Sequence, residues 1–474
     1  MAKSGLLFPS KAMKVNLLSA SFKEETSKTL SLAIPIIVAQ LGSILMGVTD
    51  NIMVGHYLGK IGLGVAGIAN SIAFVISSIG IGGLAVVAPL ISKAKAERNI
   101  PEVNRLFRAG WWAAVWFGLI LGAIGFICVY FFDIFQQSAE INAKSPTFMG
   151  IIIVSSFFTF LFIASKQLSD GLSRTYVAMI ITILGLVFNF VFNAILINGY
   201  LGFPAMGLNG AAVSTLFTRI LMVIAMLAYL YKAKAFRKYL NRKYNPLPVS
   251  DLVKYIFKIG VPSGLQFFFE IAAFSLAVIM MGWLGENQLA AHQIAINVAS
   301  VTYMMAAGLG VAGGIRVGEG RGLKNIQKIK MSGNVALLLV IAFMTLMMFL
   351  MIGLDRFLIG LYISDPEVVK IAVRLMLIAA VFQLSDGIQV VALGILRGIA
   401  DVNIPTWITM FAYWVVALPL GYFLGFTLKQ DAIGIWIGLF AGLTMSAILL
   451  TSRFYYMVGK MKKSEQYSLE TAGA

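Results

Sequence analysis

The chain has 474 residues, of which 59% are hydrophobic and only 12% charged, with a formal net charge of +17 and a mean hydropathy of +0.88. That composition leaves too little polar surface to coat a water-soluble globule of this length. A single cysteine, Cys128, and two distant histidines, His56 and His292, exclude a disulfide framework and offer no cysteine or histidine metal centre.

Residues 1–29 form a polar segment with no apolar core ending in a small-residue cleavage site, so no cleaved signal peptide is expected. From residue 30 onward apolar runs recur, each about long enough to cross a hydrocarbon layer of roughly 30 Å. They are continuous rather than alternating, which favours helices over barrel strands as the self-satisfied backbone. Six predicted spans (30–54, 66–92, 109–131, 147–165, 175–197 and 207–230) fill a first lobe, 30–230. A basic linker, 231–254, ends in Asn245-Pro246-Leu247-Pro248. Six more spans (255–283, 289–315, 331–354, 370–396, 403–426 and 433–457) fill a second lobe, 255–457, before a tail at 458–474. The reading is an all-α membrane protein of twelve transmembrane helices, and its 46 glycines suit close helix packing.

The charge is one-sided. Lys93, Lys95, Arg98, Arg105 and Arg108 fill the second loop, Lys232 to Lys243 the sixth, and Arg321 to Lys330 the eighth. With the two termini, roughly 30 of the 37 basic residues lie on one side, which the positive-inside rule makes cytoplasmic, both termini included. A solvated basic face accounts for the net charge, and no nucleic-acid partner is expected.

The chain also repeats itself. At an offset of 226 residues, LGKIGLGVAGIAN (58–70) aligns with LGENQLAAHQIAI (284–296), Gly82 with Gly308, and Asn99-Ile100 with Asn325-Ile326. Ile34-Pro35 and Val261-Pro262 open the two halves. Six spans is an even number, so the two copies share one orientation about a pseudo-two-fold axis along the membrane normal.

Ionisable groups deep in a span are costly and are functional candidates by default. Glu270 lies about 18 Å from Lys258, and Asp386 about 16 Å from Arg397, at 1.5 Å per residue. Both belong to the second lobe and reach similar depth. Asp50 lies about 9 Å below His56 in the first lobe. Asn189 and Asn193, four apart, share a face of span 5, and Thr215 on span 6 can join them. Helix-to-helix glue is the plainer role for these amides and this hydroxyl. Arg219, one turn beyond Thr215, reads as a structural counter-charge. Core packing is the plainer reading of the many Met and Phe residues; Met280, Met281, Met304 and Met305 are the alternative, a soft wall for varied apolar cations.

The segments PIIVAQLGSILMGVTDNIMVGHYLG, LAAHQIAINVAS with GIRVGEGRG, and FQLSDGIQVVALGILRGIAD resemble the signatures of the multidrug and toxic compound extrusion (MATE) family, NorM-like branch. The resemblance runs over about residues 27–458. It implies two six-helix lobes set as a V in a bacterial cytoplasmic (inner) membrane. It also implies a monomer exporting small cationic drugs in exchange for Na⁺ or H⁺, with no cofactor beyond that coupling ion. By motif, Asp50 resembles the family's first-helix acid, and Glu270 and Asp386 resemble its second-lobe cation-coordinating carboxylates, a possible Na⁺ site. Asn189, Asn193 and, less closely, Thr215 resemble the polar partners of the first-helix acid. Some relatives carry a tyrosine where this chain has Phe382.

A lipid or lipid-linked oligosaccharide flippase of the same superfamily is the alternative transporter; it calls for a more basic central cavity than these acids provide. No HExxH, GxSxG or clustered His/Asp supports an enzyme.

Overall fold

The computed structural model describes residues 20–135, 139–244, 247–363 and 365–472. Most of the N-terminal segment, and Asn245 and Pro246 of the linker, lie outside the described residues. Twelve helices are long and apolar enough to cross a membrane. They are α1 (Ala20–Gly59), α2 (Ile61–Ala96), α3 (Ile100–Tyr130), α4 (Glu140–Gly171), α5 (Tyr176–Asn198), α6 (Gly207–Lys232), α7 (Ser250–Leu284), α8 (Glu286–Gly322), α9 (Ile326–Gly353), α10 (Pro366–Gly398), α11 (Asn403–Thr427) and α12 (Asp431–Ser464). Each predicted span falls on one of them to within a residue at either end. Several helices run a few turns past their span, because charged residues such as Glu24, Lys28 and Arg316 continue the helix beyond the apolar stretch.

The duplication is written into the backbone. Gly59 and Gly285, 226 residues apart, both take a left-handed φ (68° and 118°) at the turns α1–α2 and α7–α8, a conformation a Cβ disfavours. Arg98 and Lys324, also 226 apart, repeat that hand at the ends of α2 and α8 (56° and 52°). The next residues are matching caps. Asn99 Oδ1 accepts from the Glu102 amide at 3.1 Å, and Asn325 Oδ1 from the Lys328 amide at 2.9 Å. Each cap contributes about 1 kcal/mol and fixes the same start for α3 and α9.

Packing repeats as well. A Cβ added to Gly171 would lie 2.7 Å from the Ala88 carbonyl, and one added to Gly398 would lie 2.7 Å from the Gly314 carbonyl. The seam between the lobes is built from two equivalent crossings. Gly82 of α2 abuts Ser263 of α7, and Gly308 of α8 abuts Ile37 of α1, with each partner 226 residues from its counterpart. Leu32, Ala33, Ile36 and Ala88 of the first lobe are buried in one cluster with Ala306, Leu309 and Ile315 of the second.

Inter-lobe contacts run on to the basic ends. Ser92 Oγ donates to the Ile315 carbonyl at 2.9 Å, and Gly318 and Gly322 press on Pro89 and Lys93. At the other ends of α1, α2 and α7, Gly47, Gly67 and Gly282 have nothing within 4 Å of an added Cβ. The lobes are closed against each other on the basic side. The linker is pinned by α3: Arg105 pairs with Asp251 at 2.8 Å, and Asn104 and Arg108 donate to carbonyls of Tyr239, Tyr244 and Leu247.

Candidate functional site

In the first lobe, α1, α5 and α6 bring Asp50, Asn189, Asn193 and Thr215 together. The i, i+4 spacing of the two asparagines turns both amides onto one face of α5, toward α1 and α6. Asn193 Nδ2 donates to Asp50 Oδ1 at 2.5 Å, and Thr215 Oγ1 donates to Asp50 Oδ2 at 3.0 Å. Asn189 is linked to both neighbours, accepting from Asn193 at 3.4 Å and donating to Thr215 at 3.5 Å. Asp50 is half-buried, whereas the two asparagines are fully buried. Asn193 Oδ1 is a buried acceptor with no protein partner. Arg219, one helical turn beyond Thr215, interacts electrostatically with Asp50 and donates to Ser155 Oγ at 2.7 Å. The counter-charge role read from its spacing fits this placement.

In the second lobe, α7 and α10 carry Glu270 and Asp386, which are 6% and 5% exposed. They stand close enough for like-charge repulsion between their carboxylates. The Tyr303 hydroxyl of α8 faces Glu270 within electrostatic range. Asp386 Oδ1 and both polar atoms of Gln383, one turn away on α10, are buried without a partner. The unmet oxygens among them, Asp386 Oδ1 and Gln383 Oε1, are expensive to bury unless something positive is attracted to them.

Below the acids, toward the basic side, Arg397 is buried. It donates to Ser263 Oγ at 2.9 Å and to Gln266 Oε1 at 3.0 Å, and stacks on Phe267. Ser263 Oγ in turn donates to the Gly82 carbonyl across the seam at 2.8 Å. Residues 263, 266 and 270 follow the 3–4 spacing of one helical face, so a single face of α7 runs from the seam to the carboxylates. Among the described residues no group of three or more His, Cys, Asp or Glu side chains forms a metal cluster. Two carboxylates with neutral oxygens nearby suit a transient monovalent cation or a proton better than a tightly held transition metal.

The sequence matches the MatE family model twice, over residues 35–195 and 262–423, one match in each lobe. The chain belongs to the MatE family. It is 33% identical over 434 residues to a probable multidrug resistance protein NorM of Brucella suis, covering 90% of this chain and 92% of that one. It is 32% identical over 440 residues to the protein of the same description from Acinetobacter baylyi, covering 92% and 97%. Two solved structures share its fold. The eukaryotic MATE transporter AtDTX14 superposes with a TM-score of 0.84 at 20% identity, over 94% of this chain and 99% of that one. The Vibrio cholerae MATE transporter VcmN in its bent form does so with a TM-score of 0.83 at 15% identity, over the same shares. As a MatE protein the chain is a transporter and not an enzyme.

Several members of this MatE site were not singled out in the sequence. Tyr303 gave one usable signal, a hydroxyl inside an apolar stretch that needs a partner. Arg397 read as a solvated end of α10, yet it is only 7% exposed. Tyr413, bonded to Gln389 at 2.8 Å and within electrostatic range of both acids, sits in a π-helical stretch, Phe411–Ala417, that periodicity does not reveal. Phe382 packs against Trp436, with ring centroids 5.2 Å apart. Met280 and Met281 are buried in the helix core, the packing reading; Met304 and Met305 are half-buried.

Proposed function

We propose that this MatE protein is a secondary antiporter exporting organic, mainly cationic compounds in exchange for Na⁺ or H⁺. The observation that carries the reading is the placement of membrane-embedded acids in both lobes: Asp50 in one, the Glu270–Asp386 pair in the other. The printed description of the Brucella and Acinetobacter relatives, as probable multidrug resistance proteins, supports the substrate class. On the positive-inside rule the basic side is cytoplasmic, in a bacterial inner membrane, and the lobes are then closed on the inward side. A carboxylate that holds a coupling cation is unavailable to a drug cation. The two ligands therefore favour different lobe arrangements, and ion entry down its gradient drives drug release. Both acidic sites are completed within one chain, so one chain is the working unit.

A flippase for anionic lipid-linked substrates would need free deep cations. Each deep cation here faces a deep acid, Arg219 with Asp50 and Arg397 with Glu270. The deciding experiment is efflux of a fluorescent organic cation from proteoliposomes under separately imposed Na⁺ and H⁺ gradients. Efflux driven by one of them is expected, and efflux indifferent to both would overturn the antiport reading.

A further inference from the structure

On the basic side, a cavity of about 680 Å³ lies among α1, α2, the α4–α5 turn, α6 and α8, away from both carboxylate sites. Four cations line it, Lys28, Lys95, Arg174 and Arg316, against one acid, Glu319. Two of these cations are spoken for: Lys28 pairs with Glu24, and Arg316 with Glu25 and Glu319. The other two are not. Lys95 donates to neutral oxygens, the Leu172 carbonyl at 2.9 Å and Ser173 Oγ at 3.1 Å, and feels Glu319 only at a distance. Arg174 has no carboxylate partner among the described ion pairs.

The first turn of α5 opens on the same space. Its cap residue, Thr175, makes no side-chain capping bond, and Thr175, Tyr176 and Val177 all line the cavity. A cavity with a net positive lining, unpaired Lys and Arg heads and a free helix N-terminus attracts an oxyanion and repels the cations this fold carries. The rest of the wall is apolar: Leu32, Pro35 and Tyr229, with Tyr176 61% exposed beside them.

We propose that this cavity is a binding site for a phosphate-bearing anion, and that its occupant fastens the two lobes together on the basic side. Lys95 and Arg174 belong to the first lobe, and Arg316 and Glu319 of the second complete the wall, so the cavity that holds the ligand exists only while that side is closed. By linkage it then stabilises the closed arrangement in proportion to its preference for it. The phosphate can come from an anionic lipid headgroup, which the apolar wall suits, or from a free phosphate. The inference does not depend on which ion drives transport.

The test uses the full chain in nanodiscs. Native mass spectrometry compares retention of phosphatidylglycerol with that of phosphatidylcholine, and inorganic phosphate is titrated into phosphatidylcholine discs while thermal stability is followed. Lys95→Gln with Arg174→Gln is expected to weaken phosphatidylglycerol retention about fivefold for each charge removed, the scale of one basic residue against an anionic surface. Lys232→Gln with Lys234→Gln removes the same charge from the same side outside the cavity and should change retention little. Should the double variant fail to fold, Arg174→Gln alone, at an exposed and unpaired position, gives the same reading. Stabilisation by inorganic phosphate identifies a soluble source. Retention of phosphatidylglycerol without it identifies the lipid. Equal loss in the two double variants, or no preference for either anion over phosphatidylcholine, overturns the proposal.

Discussion

Glu25 on α1 and Arg316 on α8 tie the two lobes at their basic ends, with Nε and Nη2 of the guanidinium 2.8 and 2.5 Å from the two carboxylate oxygens. Ser332 of α9 donates to the same carboxylate at 2.7 Å, and Arg316 and Lys328 share Glu319 on the far side. The pair is 7% and 5% exposed, so it is not a surface ion pair of negligible worth.

We predict that Arg316→Met opens the basic side. Removing one partner of a buried pair costs about 3–5 kcal/mol, because the other charge stays buried and unpaired. Here the cost falls on the closed arrangement, since parting the lobes returns Glu25 to water. In a Cys128→Ala background with Ser92→Cys as reporter, an impermeant maleimide should label the seam at least tenfold faster. An unchanged labelling rate would refute the latch.

A second prediction concerns the first-lobe acid. Asp50→Asn should cut efflux at least tenfold and lower thermal stability, because it strips Arg219 of its counter-charge while leaving hydrogen-bonding capacity for Asn193 and Thr215. Adding Arg219→Met to Asp50→Asn should restore the melting temperature without restoring efflux. Recovery of both together would reduce Asp50 to a structural counter-ion.

A third prediction contrasts two glycines of α7. An added Cβ at Gly264 would lie 2.1 Å from the Ile79 carbonyl, whereas one at Gly282 meets nothing within 4 Å. Gly264→Ala should therefore pry the seam apart, at a cost of about 1–3 kcal/mol for overpacking. Gly282→Ala should be neutral or slightly stabilising, since alanine is the better helix residue. Melting temperatures and the Ser92→Cys labelling assay read both, and equal behaviour of the two variants would contradict the seam geometry.

Much of this architecture was legible beforehand, for particular reasons. Apolar span length is dictated by the bilayer, and the 226-residue repeat survives in residues with fixed backbone duties: Gly59 and Gly285 at turns, Asn99 and Asn325 at caps. Asp50 with Asn189 and Asn193 was readable because depth and the i, i+4 rule confine them to one face. Arg397 was not, since a charged residue near a helix end ordinarily reaches water, and only the second lobe's packing on α7 and α11 closes over it. Tyr413 escaped because π-helical turns shift the register that spacing arguments assume. Met280 and Met281 stayed open between pocket wall and core because composition cannot tell the two apart.

The final prediction bears on the coupling site. Glu270 and Asp386 repel each other in a buried site, Tyr303 faces Glu270, and Asp386 Oδ1 has no partner among the described residues. An arrangement this costly persists where a proton or small cation offsets it during the cycle. Glu270→Gln and Asp386→Asn each keep side-chain shape and remove one charge. Each should lower gradient-driven efflux at least tenfold, while the melting temperature holds or rises because the repulsion is gone. Tyr303→Phe, which leaves both charges and deletes only the neighbouring hydroxyl, should give a smaller loss than either. A merely structural pair would show the opposite pattern, with stability falling and efflux per folded molecule intact. Full efflux in both acid variants would move the coupling site to Asp50, Asn193 and Thr215.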